Sequence, residues 1–413
     1  MDDIRQACAG LTTAYQPVVD LDSGEVVGYE ALARPGAGPL SRPDRLIECA
    51  RSMGELEGVE WACRTSALRG ALGAGFGGGL TLFVNVAPDV GAEPLDRQAA
   101  DLLEQATADL RVVLEVTERA VLTDPARLLR TADWARDRGW GIALDDLGAD
   151  PGSLAMMPFL EPDVIKLDLQ LVQRRPDPEI GLTVSAVMAQ AERSGASVVA
   201  EGIETAEHQD AALAMGATLG QGWLYGRPGA LPPGGGLPSR TVPLLQPGAT
   251  RVDITPYAVV RAARPVRRGT LRLLLGIAGH LEEQAVAWRD GPVVLSTFSA
   301  GEHLPGAARD RYETLARQGS FVVTLGSDVS PRLAGGGVRN TRLPADHRLG
   351  DQWCVVVVGP HYAGALVAQA TGRGTGAAAE FDFAVTHDRD LVIAAGRTLL
   401  REAAVDASPD RPS

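Results

Sequence analysis

The chain has 413 residues, of which 45% are hydrophobic, and a formal net charge of -13 at pH 7. Because this length exceeds one ordinary hydrophobic core, we expect two domains joined by a linker. The acidic balance excludes broad electrostatic capture of a nucleic-acid polymer or an anionic membrane, since both need a basic surface. Phosphate ligands are not excluded, because carboxylates that hold divalent cations can still bind them.

The sequence shows no uncharged apolar run of about 18 residues, the length that a transmembrane helix needs. Its start, Met1, Asp2 and Asp3, has neither the basic head nor the apolar stretch of a signal peptide. We therefore expect a cytoplasmic protein without membrane insertion.

From Tyr15 to about Arg227, short runs rich in Val, Ile and Leu alternate with helix-like segments, including Arg127–Arg138 and Gly181–Ser194. This rhythm is typical of β/α folds, and the runs predict the strands of a modified (β/α)8 barrel. The turn Asp22–Ser23–Gly24 is too short for a crossover helix, so we expect one antiparallel strand pair. The predicted strands are Tyr15–Leu21, Glu25–Leu32, Leu80–Val86, Val112–Val116, Gly141–Asp145, Val164–Leu167, Ser197–Ala200 and Thr218–Gln221.

A Pro/Gly-rich segment then predicts a linker, and a smaller α/β domain of the α+β kind follows it. The predicted elements of that domain are a helix over Thr270–Trp288, strands over Val293–Phe298, Phe321–Leu325, Trp353–Val358 and Phe381–Val385, and a helix near Arg389–Arg401. The predicted boundaries are a barrel over residues 1–230, a linker over 231–265, a second domain over 266–405 and a disordered tail over 406–413.

Several predicted strands carry a polar residue at or near the end that would face the mouth of a barrel. Because the C-terminal strand ends of a β/α barrel converge on one mouth, these side chains should meet there. Clustered carboxylates repel one another unless cations intervene, and hard oxygen ligands suit Mg²⁺ or Mn²⁺. Two such ions can polarise a phosphoryl group and activate a water molecule. The residues are Glu30, Asn85, Glu115, Asp145, Asp146, Lys166, Glu201 and Gln221.

Any single Asp or Glu near a strand end is more often a helix N-cap or a surface group. The combination of Asp145 and Asp146 after one apolar run with Lys166 and Glu201 after two others favours a metal or polyanion site instead.

At these same residues the sequence resembles the EAL family of cyclic di-GMP phosphodiesterases. The motifs occur in the family's order over about residues 10 to 230. They are YQPVVDLDSGEVVGYEALAR, in which Glu30, Ala31 and Leu32 form the naming tripeptide, then FVNV, LEVTER, LDDLGAD, DVIKLD, VVAEGIET and GQGWLYGRP.

The resemblance implies hydrolysis of cyclic di-GMP to linear pGpG with two Mg²⁺ or Mn²⁺ ions. It assigns metal binding to Glu30, Asn85, Glu115, Asp145 and Asp146, and catalytic roles around the attacking water to Lys166, Glu201 and Gln221, without dividing the base role between Lys166 and Glu201. It also implies ligand contacts by Gln16 and Arg34, and bracing of the mouth loops by Glu118 and Glu204, for which a surface ion pair is the alternative.

The main departure from the family is the loop Leu147–Gly152, where LGADPG stands in place of the commoner FGTG pattern. In the family this loop couples metal binding to dimer contacts, so a homodimer is implied as well. A receptor that binds cyclic di-GMP with little turnover is therefore the alternative to an enzyme. A scaffold that binds no nucleotide leaves the complete set of polar residues unexplained.

The C-terminal region resembles, less specifically, the DICT sensory module. The stretches concerned are RRGTLRLLLGIAGHLEEQA, PVVLSTF, WCVVVVGPHYAGALVA and FDFAVTHDRDLV. The resemblance implies regulation by this domain through an unknown signal or partner.

Overall fold

The computed structural model describes residues 1–87, 90–91, 93–147, 151–173, 177–233, 238–244, 254–288, 291–298, 306–327 and 337–403, with the backbone alone at 119–121, 151–152, 179 and 306–307. The chain divides into two compact units. The first comprises Met1–Ala120, Arg130–Ala149 and Glu161–Ala249, and the second comprises Val121–Leu129, Asp150–Leu160 and Thr250–Ser413. The predicted tail, 406–413, lies outside the described residues.

The first unit contains a closed eight-stranded barrel in the order β1 to β8, which confirms the predicted fold class. Strand β1 pairs antiparallel with both β2 and β8, whereas the other neighbours are parallel. The predicted barrel with one antiparallel strand is therefore confirmed, with β1 as that strand. It makes two antiparallel pairs where the hairpin alone predicted one, because a reversed strand in a closed barrel has two neighbours. The strands are β1 Thr12–Asp20, β2 Val26–Arg34, β3 Thr81–Asn85, β4 Arg111–Thr117, β5 Gly141–Leu147, β6 Val164–Leu167, β7 Ser197–Ala200 and β8 Leu219–Gln221.

The turn that reverses β1 is held by the carboxylate of Asp20. Its Oδ1 accepts hydrogen bonds from the Ser23 backbone N–H at 2.8 Å and from the Asp22 backbone N–H at 3.1 Å. Gly24 follows with φ 72°, a left-handed conformation that glycine adopts without steric cost. The resulting register places Gln16 opposite Glu30 and Val18 opposite Gln221.

Helices connect the strands, and side-chain caps begin several of them. Asp96, Asp177 and Thr205 each accept a hydrogen bond from a backbone N–H in the first helical turn, the interaction that favours Asp and Thr at N-caps. The helices are α1 Asp2–Ala9, α2 Pro43–Met53, α3 Leu56–Gly73, α4 Arg97–Asp109, α5 Glu118–Thr123, α6 Pro125–Arg136, α7 Pro151–Leu160, α8 Leu169–Gln173, α9 Pro178–Ser194 and α10 Ala206–Ala214.

The segment predicted as a linker is not irregular throughout. Val242 is buried in the apolar core of the barrel, and the Arg111 side chain donates a hydrogen bond to the Val242 carbonyl. Farther along, α11 spans Pro256–Arg261, with Thr255 as its N-cap. The density of proline and glycine indicated a linker. Composition does not show that an apolar side chain such as Val242 packs into the barrel core. The domain boundaries stay a prediction.

The second unit contains a mixed seven-stranded sheet in the order β12, β11, β10, β13, β14, β15, β9. The sequence predicted four of these strands and missed β9, β12 and β14. Helices α12 and α14 match the predicted helices closely. The elements are β9 Arg267–Thr270, α12 Leu271–Ala287, β10 Val293–Thr297, α13 Gly306–Arg317, β11 Phe321–Gly326, β12 Arg339–Arg342, β13 Gln352–Val358, β14 Ala363–Ala370, a 3₁₀ turn Gly376–Ala378, β15 Glu380–Thr386 and α14 Arg389–Glu402.

The core of the second unit lies between this sheet and its helices. Leu281 of α12, Tyr312 and Leu315 of α13, and Trp353 of β13 are all buried there. In the part of the chain that the structure describes, no helix combines the length and apolar character that crossing a bilayer requires.

Candidate active site

The interior of the barrel consists of an apolar layer with a polar layer above it. The apolar layer takes one residue from each strand: Val18, Val27, Phe83, Val113, Ala143, Val164, Val199 and Leu219. Side chains of a strand return to the same face every second residue. In six of the strands, the residue two positions after the apolar one is polar and faces the same side. These polar residues, in strand order from β3 to β8, are Asn85, Glu115, Asp145, Lys166, Glu201 and Gln221.

Lys166 lies at the centre of the polar layer and is 1% exposed. Its Nζ is 2.7 Å from an oxygen of Glu115 and 2.7 Å from an oxygen of Glu201. Asp145 follows at 3.1 Å and Glu30 at 3.4 Å. One ammonium group therefore contacts carboxylates from four different strands or strand ends.

Lys166 is also the only lysine among the 39 lysine and arginine residues of this sequence. An ammonium group is a compact point charge, whereas a guanidinium group is a wide planar fork. Four carboxylates arranged around one nitrogen suit the compact cation. The position therefore has a physical reason to differ from every other basic position of the chain.

Side-chain amides hold Glu30 in place. Gln221 Nε2 donates to one Glu30 oxygen at 2.6 Å, and Asn85 Nδ2 donates to the other at 3.0 Å. Gln16 lies beside them, with its Oε1 3.4 Å from Gln221 Nε2. The structure thus brings together four of the predicted site residues, Gln16, Glu30, Asn85 and Gln221.

Several buried oxygens of the layer accept no hydrogen bond. Among the described residues these include both carboxylate oxygens of Glu115, Asp145 Oδ1 and Gln221 Oε1. Lys166 contacts Glu115 Oε1 and Asp145 Oδ1 as ion pairs, but not in hydrogen-bond geometry. A buried oxygen that accepts no hydrogen bond is costly unless a cation compensates it. This set of carboxylate and amide oxygens therefore fits a divalent metal ion.

The electrostatics show that one ammonium group does not offset the negative charge of the layer. Burial and the neighbouring Glu30 raise the pKa of Glu115 well above its ordinary value. Burial, with repulsion from Asp145 and Glu30, raises the pKa of Glu201 to about 8 despite the attraction of Lys166. Burial alone would lower the pKa of Lys166, but the surrounding carboxylates raise it well above its ordinary value, so the amine keeps its proton.

Asp145 and Asp146 reach the same site through an irregularity in β5. Neighbouring residues of a regular strand point to opposite faces, but the pairing of β5 with β6 shifts register between Leu144 and Leu147. Asp146 has φ 57°, a left-handed conformation that Asp tolerates better than most residues. One carboxylate oxygen each from Asp145, Asp146 and Glu201 then lie within 4.8 Å of one another, a grouping able to hold a metal ion.

The other predicted site residues have different surroundings. Arg34 donates to the Ala33 carbonyl at 3.0 Å. Glu118 is buried, which argues against a surface ion pair there, whereas Glu204 is exposed and its backbone N–H donates to His208. The predicted loop Leu147–Gly152 falls largely outside the described residues, which include Leu147 and only the backbone of Pro151 and Gly152.

Sequence reasoning missed the buried cation Arg64 of α3. The buried positions of that helix include Leu56, Glu60, Arg64, Leu68 and Ala71, so Arg64 occupies the core-facing stripe. An arginine at a core-facing helical position was the available signal. It became visible only once the helical face was assigned.

The EAL domain model matches residues 1–228. The chain belongs to the EAL family. A second model, the sensory domain of diguanylate cyclases and two-component systems called DICT, matches residues 263–371. Both predicted resemblances are therefore confirmed.

Curated relatives of this EAL chain include named phosphodiesterases. RocR of Pseudomonas aeruginosa, a cyclic di-GMP phosphodiesterase, is 32% identical over 222 residues, which cover 52% of this chain and 56% of RocR. PdeG of Escherichia coli, a probable cyclic di-GMP phosphodiesterase, is 31% identical over 226 residues, covering 52% of this chain and 44% of PdeG. This chain thus spans about half the length of these relatives. A solved PaMucR phosphodiesterase in complex with cyclic di-GMP is 27% identical with a TM-score of 0.47, covering 56% of this chain and 96% of that chain.

Proposed function

We propose that this EAL protein hydrolyses cyclic di-GMP to linear pGpG. The observation that carries the proposal is the polar layer of the barrel, where Glu30, Glu115, Asp145 and Glu201 surround Lys166. The phosphodiesterase names of RocR and PdeG supply the substrate. Water would attack one phosphorus, the bond from phosphorus to the 3′-oxygen would break, and the 3′-oxygen would leave with a proton.

We further propose that Mg²⁺ or Mn²⁺, with two ions bound, assists this reaction. The proposed ligands are Glu30, Asn85, Glu115, Asp145 and Asp146. The buried oxygens of Glu115 and Asp145 Oδ1, which accept no hydrogen bond, support the assignment. When bound, such ions lower the pKa of water and neutralise charge on the phosphoryl oxygens.

The roles of the remaining residues follow from their contacts. Lys166 is enclosed by carboxylates and keeps its proton, so we assign it to positioning Glu201 and balancing charge. Glu201, one residue past the end of β7, then accepts the proton of the attacking water. Gln221 and Asn85 orient Glu30 through their hydrogen bonds. Gln16 and Arg34 are proposed ligand contacts, and Glu118 and Glu204 are proposed to brace the mouth loops.

The test is product formation by the full-length chain with cyclic di-GMP and Mg²⁺, followed by chromatography of pGpG. Replacing Glu201 by Gln keeps the size of the side chain but removes the proton acceptor. We expect the turnover rate to fall by about 10²- to 10⁴-fold, the usual contribution of a positioned acid or base.

The matched control is Glu192→Gln, because Glu192 is exposed on α9 and should leave turnover unchanged. A folded wild-type protein that binds cyclic di-GMP but forms no pGpG would establish the receptor alternative. Equal rates for Glu201→Gln and wild type would contradict the role of Glu201.

We also propose regulation of hydrolysis by the DICT region, because both family models match the same chain. A chain ended after Ala249 keeps Val242 in the barrel core and should hydrolyse cyclic di-GMP at a different rate. Identical rates in every condition would contradict regulation. The predicted homodimer is testable by light scattering of the full-length chain with and without Mg²⁺.

A further inference from the structure

Helix α12 of the second unit has an exposed side that the core of this unit does not use. Its buried side chains, which include Leu274, Ala278 and Leu281, form one stripe along the helix. On the opposite side, Leu273 is 50% exposed and Leu275 is 39% exposed. Large apolar side chains that are exposed together on one element indicate an interaction surface. We call this exposed side of α12 the outer face.

The outer face carries two opposite charges. Arg272 lies in the first turn of the helix, and Glu283 follows near its other end. Their separation corresponds to about three turns, or about 16 Å along the axis, so both side chains lie on the same stripe. Both residues are exposed, and neither has an ion pair among the described residues. The outer face therefore has an unpaired positive charge at one end and an unpaired negative charge at the other.

Two glycines, Gly276 and Gly279, lie on the same stripe between these charges. Glycine destabilises a helix interior relative to alanine, so such a position calls for a reason. A methyl group at Gly276 would meet no described atom within 4 Å beyond its own helix. One at Gly279 would reach only Arg311 Nη2 at 3.8 Å, an ordinary contact. The second unit by itself thus gives no reason for either glycine, whereas a second helix that packs closely against α12 would give one.

We propose that the outer face of α12 binds the outer face of a second copy of this chain, with the two helices antiparallel. In a two-fold symmetric contact, residue i meets residue j and residue j meets residue i. A two-fold axis beside the middle of the segment from Gly276 to Gly279 brings Arg272 of each copy to Glu283 of the other. The two glycines then allow close approach, and the exposed leucines pack against the facing helix.

The charges favour a second copy over a partner that carries one sign of charge. A purely acidic partner would compensate Arg272 but would place like charge beside Glu283, and a purely basic partner would do the reverse. The same helix in the opposite direction compensates both charges. This surface differs from the loop Leu147–Gly152, through which the family resemblance implies a dimer. The inference does not rest on the proposed function.

The test is sedimentation equilibrium of the full-length chain over a range of concentrations. Exposed ion pairs contribute little affinity, so reversal of a charge is a sharper test than its removal. Arg272→Glu places like charges together in both symmetric contacts, and we expect the dissociation constant of the dimer to rise at least roughly 10-fold. Combining Arg272→Glu with Glu283→Arg restores both pairs in reverse and should recover the wild-type value. Arg309→Glu, at an exposed position of α13, is the matched control and should leave it unchanged.

Gly276→Leu separates the contact between helices from the stability of the helix itself. Leucine is a better helix former than glycine, so the melting temperature of the dilute chain should not fall. In the dimer, the added side chain would hold the helices apart, and we expect the dissociation constant to rise roughly 10- to 100-fold. Gly58→Leu is the control, because Gly58 is an exposed glycine of α3 that also has no described neighbour within 4 Å.

Two results would overturn the proposal. A chain that stays monomeric at every concentration would leave the outer face to a different protein. A dimer whose dissociation constant is unchanged by both Arg272→Glu and Gly276→Leu would have to form through another surface, such as the loop Leu147–Gly152.

Discussion

Both units of the molecule bury charged side chains, but the hydrogen bonds and ion pairs that compensate these charges differ between the units. In the second unit, Glu282 is 2% exposed, accepts the Tyr312 hydroxyl at 2.6 Å and accepts Arg311 Nε at 2.7 Å. In the barrel, both oxygens of the buried Glu115 lack a hydrogen bond among the described residues. Burial raises the pKa of both carboxyls. Tyr312 and Arg311 counter that effect at Glu282, whereas Lys166 alone counters it at Glu115 and the neighbouring Glu30 adds to it.

The difference separates a structural buried charge from a functional one. A buried carboxylate with a donor on each oxygen is compensated within the fold and needs no ligand to offset its burial. Carboxylates crowded around one cation with idle oxygens retain that capacity, at a cost in stability. The barrel layer is thus built to receive cations, and the Glu282 network is built to hold α12 and α13 together.

The largest effect is expected from removing Lys166, the cation of the polar layer. Lys166→Met leaves four carboxylates around an apolar side chain. Loss of one partner from a buried ion cluster costs about 3–5 kcal/mol of unfolding free energy. We expect that loss in denaturant unfolding of the full chain, together with loss of pGpG formation.

Lys166→Arg tests whether charge alone suffices. The guanidinium fork is too wide for carboxylates arranged around one nitrogen, so we expect this variant to lose activity although it keeps the charge. The control is Arg69→Lys, the reverse exchange at an exposed position, which should leave activity and stability unchanged. Wild-type activity and stability in Lys166→Arg would show that geometry at this position is unimportant.

A metal ion should relieve the crowding that the comparison identifies. At 100 times its dissociation constant, an ion that binds only the folded state adds about 2.7 kcal/mol of stability. We expect Mg²⁺ or Mn²⁺ to raise the melting temperature of the metal-free protein. Lysine-selective ¹⁵N labelling gives one Nζ signal, that of Lys166, which should shift during the same titration.

Asp145→Asn should weaken both responses, whereas Asp101→Asn, on the exposed face of α4, should leave them intact. A Lys166 signal that does not move when the melting temperature rises would place the ion elsewhere.

The smallest expected effect concerns the satisfied charge of the second unit. Glu282→Gln replaces an acceptor of two hydrogen bonds and leaves Arg311 without its ion pair. We expect a loss of about 1–3 kcal/mol, the cost of leaving buried partners unsatisfied. Hydrogen exchange of α12 and α13 measures it, and the adjacent, exposed Glu283→Gln is the control. A change in the metal response of Lys166 would contradict the separation of the two roles.

The strands with continuous Val, Ile and Leu runs were predictable, and Val164–Leu167 and Ser197–Ala200 match to the residue. Strand β14, AGALVAQA, was missed because its Ala and Gly content gives little strand propensity, although most of it is buried between β13 and β15. Most residues of the polar layer were predictable because each lies at or next to the end of an apolar run, whereas Glu30 lies within β2. Arg64 was not, because a helical face can be assigned to core or solvent only when its neighbours are known.

The sequence by itself determined the barrel, the family and the polar residue types at the strand ends, because period-two patterning and motif order are local properties of the chain. Only the tertiary structure decided that one ammonium group contacts four carboxylates and that a shift in β5 brings Asp145 and Asp146 to one site. It also decided that the buried Arg64 side chain has no hydrogen-bond partner among the described residues. These are distances between residues far apart in sequence, and closure of the barrel sets them.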